Sequence, residues 1–394
     1  MKRVVMIVIL CSVMLRIVAH VKVDTVKVEY RSSCGMEVMG FLYIPDISCR
    51  TDKLLIKVGE RNPVPTTQVA ALKKKNSFAC DLLGKGIAYY EYFFPEVMNP
   101  VWESLNYGYM DIARDAKDAL NILKGMDMTR HMKLGLTGTG SSGCAAVVLA
   151  SESSSVDFLV ILSSNLTEGK DFVRVDFRLK DFILPSAVWM KQCLADTSFI
   201  FKGNSFEGEK MEEAIARCLY ETIDSVVQYI YDYGKDDTMI QKKSALIIKD
   251  LWNGTHFKAE MKKGKTDGFD IWVDSMFSQS FFSKNNAIQM YQWRPEKYYA
   301  KIDIPVYIGL SGNDKSFNCE DNYDKALSIK RKYKKSNFEI VFFRDLGHGL
   351  SRKKIEYDVD LKTKSESNET FVYNYYIMDE MAKKELISWI VNLK

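Results

Sequence analysis

Ser141, Asp314 and His348 could together perform nucleophilic acyl transfer, and they occur in that order along the chain. In such a reaction the imidazole takes the proton of an attacking hydroxyl, while the carboxylate orients the imidazole and stabilises its charged form. The sequence contains four histidines, and His348 alone follows a predicted late strand within a glycine-flanked turn, residues 345–349. We therefore predict His348 as general base, Asp314 as its partner, and hydrogen-bond distance between the two.

The nucleophile must come from residues 132–150, MKLGLTGTGSSGCAAVVLA. An apolar strand passes there through Gly, Thr and Ser into an Ala/Val/Leu helix, which predicts a tight strand–turn–helix that lifts one side chain above the sheet. In an ungapped register Gly140 occupies the raised position, and a register slipped by one residue places Ser141 there instead. A loop that cradles phosphate, or a simple turn, is the third interpretation.

The elements around these loops alternate between strands and helices, which predicts an α/β fold with a mainly parallel sheet and helices on both faces. A β-hairpin is predicted over residues 21–44, and a polar stretch, residues 351–368, precedes a predicted closing helix, 378–393. Residues 166–292 contain no strand of the buried type and predict an inserted helical cap. The sheet domain then comprises residues 20–165 and 293–394.

Several motifs resemble the α/β-hydrolase superfamily, and within it secreted or bacterial acyl esterases related to serine aminopeptidases. The resemblance covers nearly all of the chain after residue 19, and the residues that carry it are Gly86-Ile87-Ala88, residues 109–119, Gly135-Leu136-Thr137-Gly138, Trp293-Arg294-Pro295, Asn313-Asp314, Leu346-Gly347-His348 and Glu369-Thr370-Phe371. It implies the α/β-hydrolase fold and hydrolysis of carboxylic esters or thioesters by Ser141, His348 and Asp314. The backbone N–H groups of Ser142 and Glu60 would be the oxyanion donors.

The chain departs from the family pattern where the chemistry is most demanding. Gly140 stands in the nucleophile position of the ungapped register, and Val58 replaces the histidine of the family's His-Gly loop. Two hypotheses follow: an exported serine hydrolase that uses Ser141, or a non-catalytic binding protein whose nucleophile position is Gly140. The expected ligand is a small acyl ester or an apolar molecule, and neither hypothesis requires a cofactor or a metal.

Composition excludes some partners and indicates a compartment. The chain has 394 residues and a net charge of +4 from 55 basic and 51 acidic residues, with short basic runs only, so we do not expect nucleic-acid binding. Residues 1–19 have the pattern of a cleaved secretory signal, too short for a stable membrane span, which predicts a secreted or periplasmic protein.

The cysteines and glycosylation sequons yield secondary predictions. No CxxC pair occurs, so a zinc site is not expected. Cys34 with Cys49 and Cys193 with Cys218 are local disulfide candidates in an oxidising compartment. Asn165, Asn253 and Asn368 each begin an Asn-x-Thr sequon.

Overall fold

The computed structural model describes residues 22–46, 48, 50–59, 61, 78–97, 107–171, 227–229, 231–233, 285–314, 318–360 and 370–394. The predicted signal at residues 1–19 lies outside these ranges, as does most of the predicted cap at 166–292, so both remain predictions. Among the described residues, no helix combines the length and the apolar character that crossing a membrane requires.

The described residues form a large mixed sheet of eight strands: β1 Val23–Arg31, β2 Glu37–Pro45, β3 Lys53–Lys57, β4 Ala88–Phe93, β5 Lys133–Thr139, β6 Phe158–Leu162, β7 Val306–Ser311 and β8 Phe338–Phe343. Their order in the sheet is β1-β2-β4-β3-β5-β6-β7-β8. The first two strands form the predicted hairpin, and β2 pairs antiparallel with β4. From β4 to β8 every neighbouring pair is parallel.

Helices cover both faces of this sheet, as the alternating pattern predicts. The described helices are α1 Phe78–Gly84, α2 Tyr109–Gly125, α3 Ser141–Glu152, α4 Asn285–Tyr291, α5 Pro295–Tyr299, α6 Cys319–Lys332 and α7 Glu380–Asn392. One core cluster joins the sheet to α2, α3 and α5, and a second joins it to α1 and α7. All five residues of β6 are buried and apolar, because helices cover both faces of a parallel strand in this position.

The polar stretch after His348 includes a strand that the sequence analysis did not predict. Strand β9, Ser351–Asp360, pairs antiparallel with β10, Thr370–Met378, to form a two-stranded sheet that leads directly into α7. The signal for the first strand is the alternation of Ile355, Tyr357 and Val359 with polar residues, which has the period of a strand. The high lysine content of the segment concealed it.

Candidate active site

Gly140 is the one residue between the end of β5 and the start of α3. Its backbone has φ 58° and ψ −126°, a region that is open to glycine and strained for residues with a side chain. Two nearby glycines have no room for a side chain. A Cβ on Gly138 would lie 2.3 Å from the carbonyl oxygen of Ser142, and one on Gly143 would lie 2.6 Å from Ser164 Oγ. The turn therefore needs glycine at 138 and 143.

These constraints favour the ungapped register, in which Gly140 is the raised residue of the elbow. A Cβ built on Gly140 would lie 3.6 Å from Cε1 and 3.8 Å from Nε2 of His348, which is ordinary van der Waals contact. The elbow thus presents the α-carbon of a glycine to the imidazole. A serine at this position would direct its hydroxyl toward the same ring.

Asp314 and His348 come together as a pair. His348 Nδ1 lies 2.9 Å from Asp314 Oδ2, within the hydrogen-bond range that the sequence analysis expects. Asp314 follows β7 and is buried, whereas His348 follows β8 and is partly exposed. Both groups stand beyond the carboxyl ends of parallel strands, where open α/β sheets bind ligands. The thiol of Cys319 donates to the carbonyl oxygen of Asp314 at 3.2 Å and steadies its backbone.

The other residues predicted for the site lie on either side of the elbow. Ser141 and Ser142 are the first two residues of α3, and Ser142 is buried. The N–H groups of a first helical turn have no acceptor within the helix, so they suit a carbonyl or an oxyanion. Glu60 lies outside the described residues, and its role as an oxyanion donor remains a prediction. With Gly140 raised, the N–H next to the elbow position belongs to Ser141 rather than Ser142.

Two buried hydroxyls beneath the site were missed by the sequence analysis. Ser163 follows β6 and Ser311 ends β7, and their Oγ atoms lie 2.8 Å apart. The Ser163 hydroxyl also accepts a hydrogen bond from the N–H of Gly349 at 3.0 Å. The available signal was their position, since small polar residues at the carboxyl ends of parallel strands lie next to the ligand site.

The cysteine and sequon predictions are partly resolved. Cys34 is a free thiol, so it forms no disulfide with Cys49, and it instead lies 3.2 Å from Arg61 Nη2. Cys144 is fully buried behind the elbow, and burial raises the pKa of its thiol to about 11. Asn165 is also buried, and its Oδ1 accepts hydrogen bonds from the backbone and hydroxyl of Thr167. This sequon is inaccessible in the folded chain.

Within the ranges that the structure describes, no cluster of three or more His, Cys, Asp or Glu side chains could hold a metal ion. The chemical groups that the structure places at the elbow are the Asp314–His348 pair and the backbone N–H groups at the start of α3. An imidazole fixed by a carboxylate accepts or donates a proton, and helix N–H groups stabilise negative charge on oxygen.

No protein-family model and no curated protein sequence matches this chain. Solved structures do: a highly thermostable carboxyl esterase from Bacillus coagulans is 12% identical over 94% of this chain and 98% of its own, with a TM-score of 0.43. The esterase Pf2001 from Pyrococcus furiosus is 11% identical over 83% of each chain, with a TM-score of 0.40. Est1E from Butyrivibrio proteoclasticus is 11% identical over 82% of this chain and 90% of its own, with a TM-score of 0.40.

The strand order and the elbow, rather than these scores, establish the fold. A mainly parallel eight-stranded sheet, a strand–turn–helix elbow after β5, an acid after β7 and a histidine after β8 define an α/β-hydrolase-fold protein. The solved structures similar to it include esterases and other hydrolases. This chain has glycine at the raised position of the elbow.

Proposed function

We propose that this protein is an α/β-hydrolase-fold protein that has lost its nucleophile and binds a small carboxylic ester, thioester or related carbonyl compound without forming an acyl-enzyme. One observation carries the proposal: the raised position of the elbow is Gly140, and a Cβ built there would lie 3.6 Å from His348 Cε1. A glycine has no atom that can attack a carbonyl carbon. The protein would consequently turn over activated esters weakly or not at all.

The remaining groups still suit a carbonyl ligand. The N–H groups of Ser141 and Ser142 at the start of α3 can donate to a carbonyl oxygen, as helix N-termini do. The His348 imidazole, which is paired with Asp314, lies next to Gly140 and can contact a second polar atom of the ligand. Binding by these groups needs no covalent step. Hydrolysis that relies only on oxyanion stabilisation and binding can still be roughly 10³-fold faster than the uncatalysed reaction. Faint turnover is therefore compatible with the proposal.

A serine hydrolase that uses Ser141 is the competing hypothesis from the sequence. Ser141 is one residue beyond the raised position, about 3.8 Å along the backbone. A misplacement of about 1 Å can cost on the order of a hundredfold in rate. The proximity of Gly140 to His348 therefore favours the binding protein over the enzyme.

Labelling with a fluorophosphonate distinguishes the two, because this reagent reacts with activated serines. We expect no labelling of the wild type, and the Ser141→Ala variant should behave identically. Labelling of the wild type that disappears in Ser141→Ala would overturn the proposal and establish the hydrolase. Labelling that persists in Ser141→Ala would place an activated serine elsewhere and would also overturn it.

Ligand binding is measured separately by NMR on the His348 imidazole, with His348→Gln to assign its signals. Addition of p-nitrophenyl butyrate should shift these signals saturably while p-nitrophenolate release stays near the background rate. An ester that leaves the His348 signals unchanged up to its solubility limit would refute the binding role.

A further inference from the structure

We infer that Ser163 is a positioning residue that fixes His348 relative to the elbow. The inference deepens the proposed function, on whose site it rests. The Ser163 hydroxyl bonds to Ser311 and to the backbone next to His348. Ser163 thereby holds the backbone of the elbow at Gly140, through its carbonyl oxygen, and the backbone of the His348 turn at Gly349.

Ser163 joins three loops by hydrogen bonds. Its carbonyl oxygen accepts from the N–H of Gly140 at 3.2 Å, which ties it to the elbow. Its hydroxyl accepts from the N–H of Gly349 at 3.0 Å, the residue that follows His348. The same hydroxyl shares a hydrogen bond of 2.8 Å with Ser311 Oγ at the end of β7, the strand that precedes Asp314. A single residue thus contacts all three segments that build the site.

The backbone of Ser163 is strained in a way that supports this role. Its φ is 42°, in the left-handed region that residues with a side chain rarely adopt. Such a conformation persists only where the surroundings hold it firmly, and it is concentrated at functional sites. Gly140 and Gly349 also have positive φ, at 58° and 65°. Ser163 and the two residues whose N–H groups it accepts, one at its carbonyl oxygen and one at its hydroxyl, therefore all have positive φ.

Burial makes the hydroxyl difficult to replace. Ser163 is 1% exposed and Ser311 is 4% exposed, so water has little access to either hydroxyl. Without the Ser163 hydroxyl, the partly buried Gly349 N–H loses its acceptor. The turn that holds His348 can then shift, and the imidazole moves relative to Asp314. A residue that only filled space would leave the Asp314–His348 hydrogen bond unchanged.

The proton on His348 Nδ1, held between the imidazole and Asp314, gives a direct NMR signal for this hydrogen bond. Its exchange with water slows when the bond is well formed. In Ser163→Ala we expect that exchange to accelerate by about tenfold, the effect of losing one hydrogen bond of ordinary strength. Ser163→Gly removes the hydroxyl and also tolerates the positive φ, so it provides the same measurement where the alanine variant folds poorly.

Ser164→Ala is the matched control, because Ser164 is an adjacent buried hydroxyl that bonds to the carbonyl oxygen of Gly140 and not to the His348 turn. Its exchange rate at His348 Nδ1 should stay within about twofold of the wild type. An unchanged rate in a folded Ser163→Ala or Ser163→Gly protein would overturn the inference, as would equal acceleration in Ser164→Ala. The readout does not depend on turnover or ligand binding, so its failure is separate from failure of the proposed function.

Discussion

Replacement of Gly140 by serine should create an activated nucleophile. The Cβ position on Gly140 lies 3.8 Å from His348 Nε2. With a C–O bond of about 1.4 Å and an open angle at oxygen, the new hydroxyl would reach Nε2 at about 2.8 Å, a normal hydrogen-bond length. His348 is already paired with Asp314, so the variant would contain the complete set of acyl-transfer groups.

The expected increase in the esterase rate of Gly140→Ser follows from two magnitudes. Removing the nucleophile from an efficient serine hydrolase costs on the order of 10⁶ in kcat, which sets the ceiling for restoring it. A misplacement of about 1 Å reduces the gain by roughly a hundredfold. We therefore expect kcat toward p-nitrophenyl butyrate to rise by about 10⁴-fold over the wild type, which is the ceiling reduced by this hundredfold loss. A serine side chain at this positive φ should lower the free energy of unfolding of the variant by about 1–3 kcal/mol.

Gly140→Ala is the matched control, because it imposes the same backbone strain without a hydroxyl. Urea unfolding should show similar losses of stability for the serine and alanine variants. Only the serine variant should gain esterase activity and fluorophosphonate labelling, and labelling should fall sharply when His348→Gln is added. A stable Gly140→Ser protein that neither labels nor hydrolyses the ester would refute the assignment of Gly140 as the raised residue.

Three further predictions concern stability. Asp115→Asn should lower the free energy of unfolding by about 3–5 kcal/mol, because it leaves the Arg61 guanidinium without the buried carboxylate that it contacts at 2.8 Å; urea unfolding tests this, and a loss below about 1 kcal/mol would contradict it. Hydrogen bonds from lysine side chains lower the pKa of Glu296 to about 2 from 4.5, so its stabilisation is present above about pH 4.5 and is lost as the pH falls toward 2. After allowance for solvent screening, Glu296→Gln should cost about 1–2 kcal/mol at pH 7 and almost nothing near pH 2, and a cost that is independent of pH would count against this. Gly135→Ala should destabilise by about 1–3 kcal/mol because its Cβ would lie 2.1 Å from the Phe158 ring, and the added change Phe158→Leu should recover part of the loss in thermal unfolding.

Much of the fold could be predicted from the sequence because buried parallel strands are unbroken apolar runs. The hairpin of β1 and β2 covers residues 23–45 where the sequence predicts 21–44, and α7 begins and ends within two residues of the predicted closing helix. The β9–β10 hairpin was missed because its first strand is rich in charged residues and its alternation is short. For β9, the period of the apolar residues indicates the strand better than the overall composition of the segment does.

The sequence likewise predicts some of the residues of the site and not others. Asp314 and His348 were predictable because each follows a recognisable strand, and the sheet then brings the two loops together. The choice between Gly140 and Ser141 depends on the residue at which β5 stops, a difference of one position, and strand ends are the least certain part of a sequence pattern. Ser163 was missed because its importance comes from a backbone conformation and from contacts with residues far along the chain.

The burial of Cys144 provides a probe of motion at the elbow. Its thiol is inaccessible within α3, and its high pKa leaves almost no thiolate at neutral pH. A soluble alkylating reagent can therefore modify it only when the helix moves away from the sheet, after the accessible Cys34 has already reacted. The rate of this slow modification would measure how often the elbow opens while the rest of the chain stays folded. A bound ligand that holds the first turn of α3 in place would slow it, so alkylation can report occupancy in a protein without turnover.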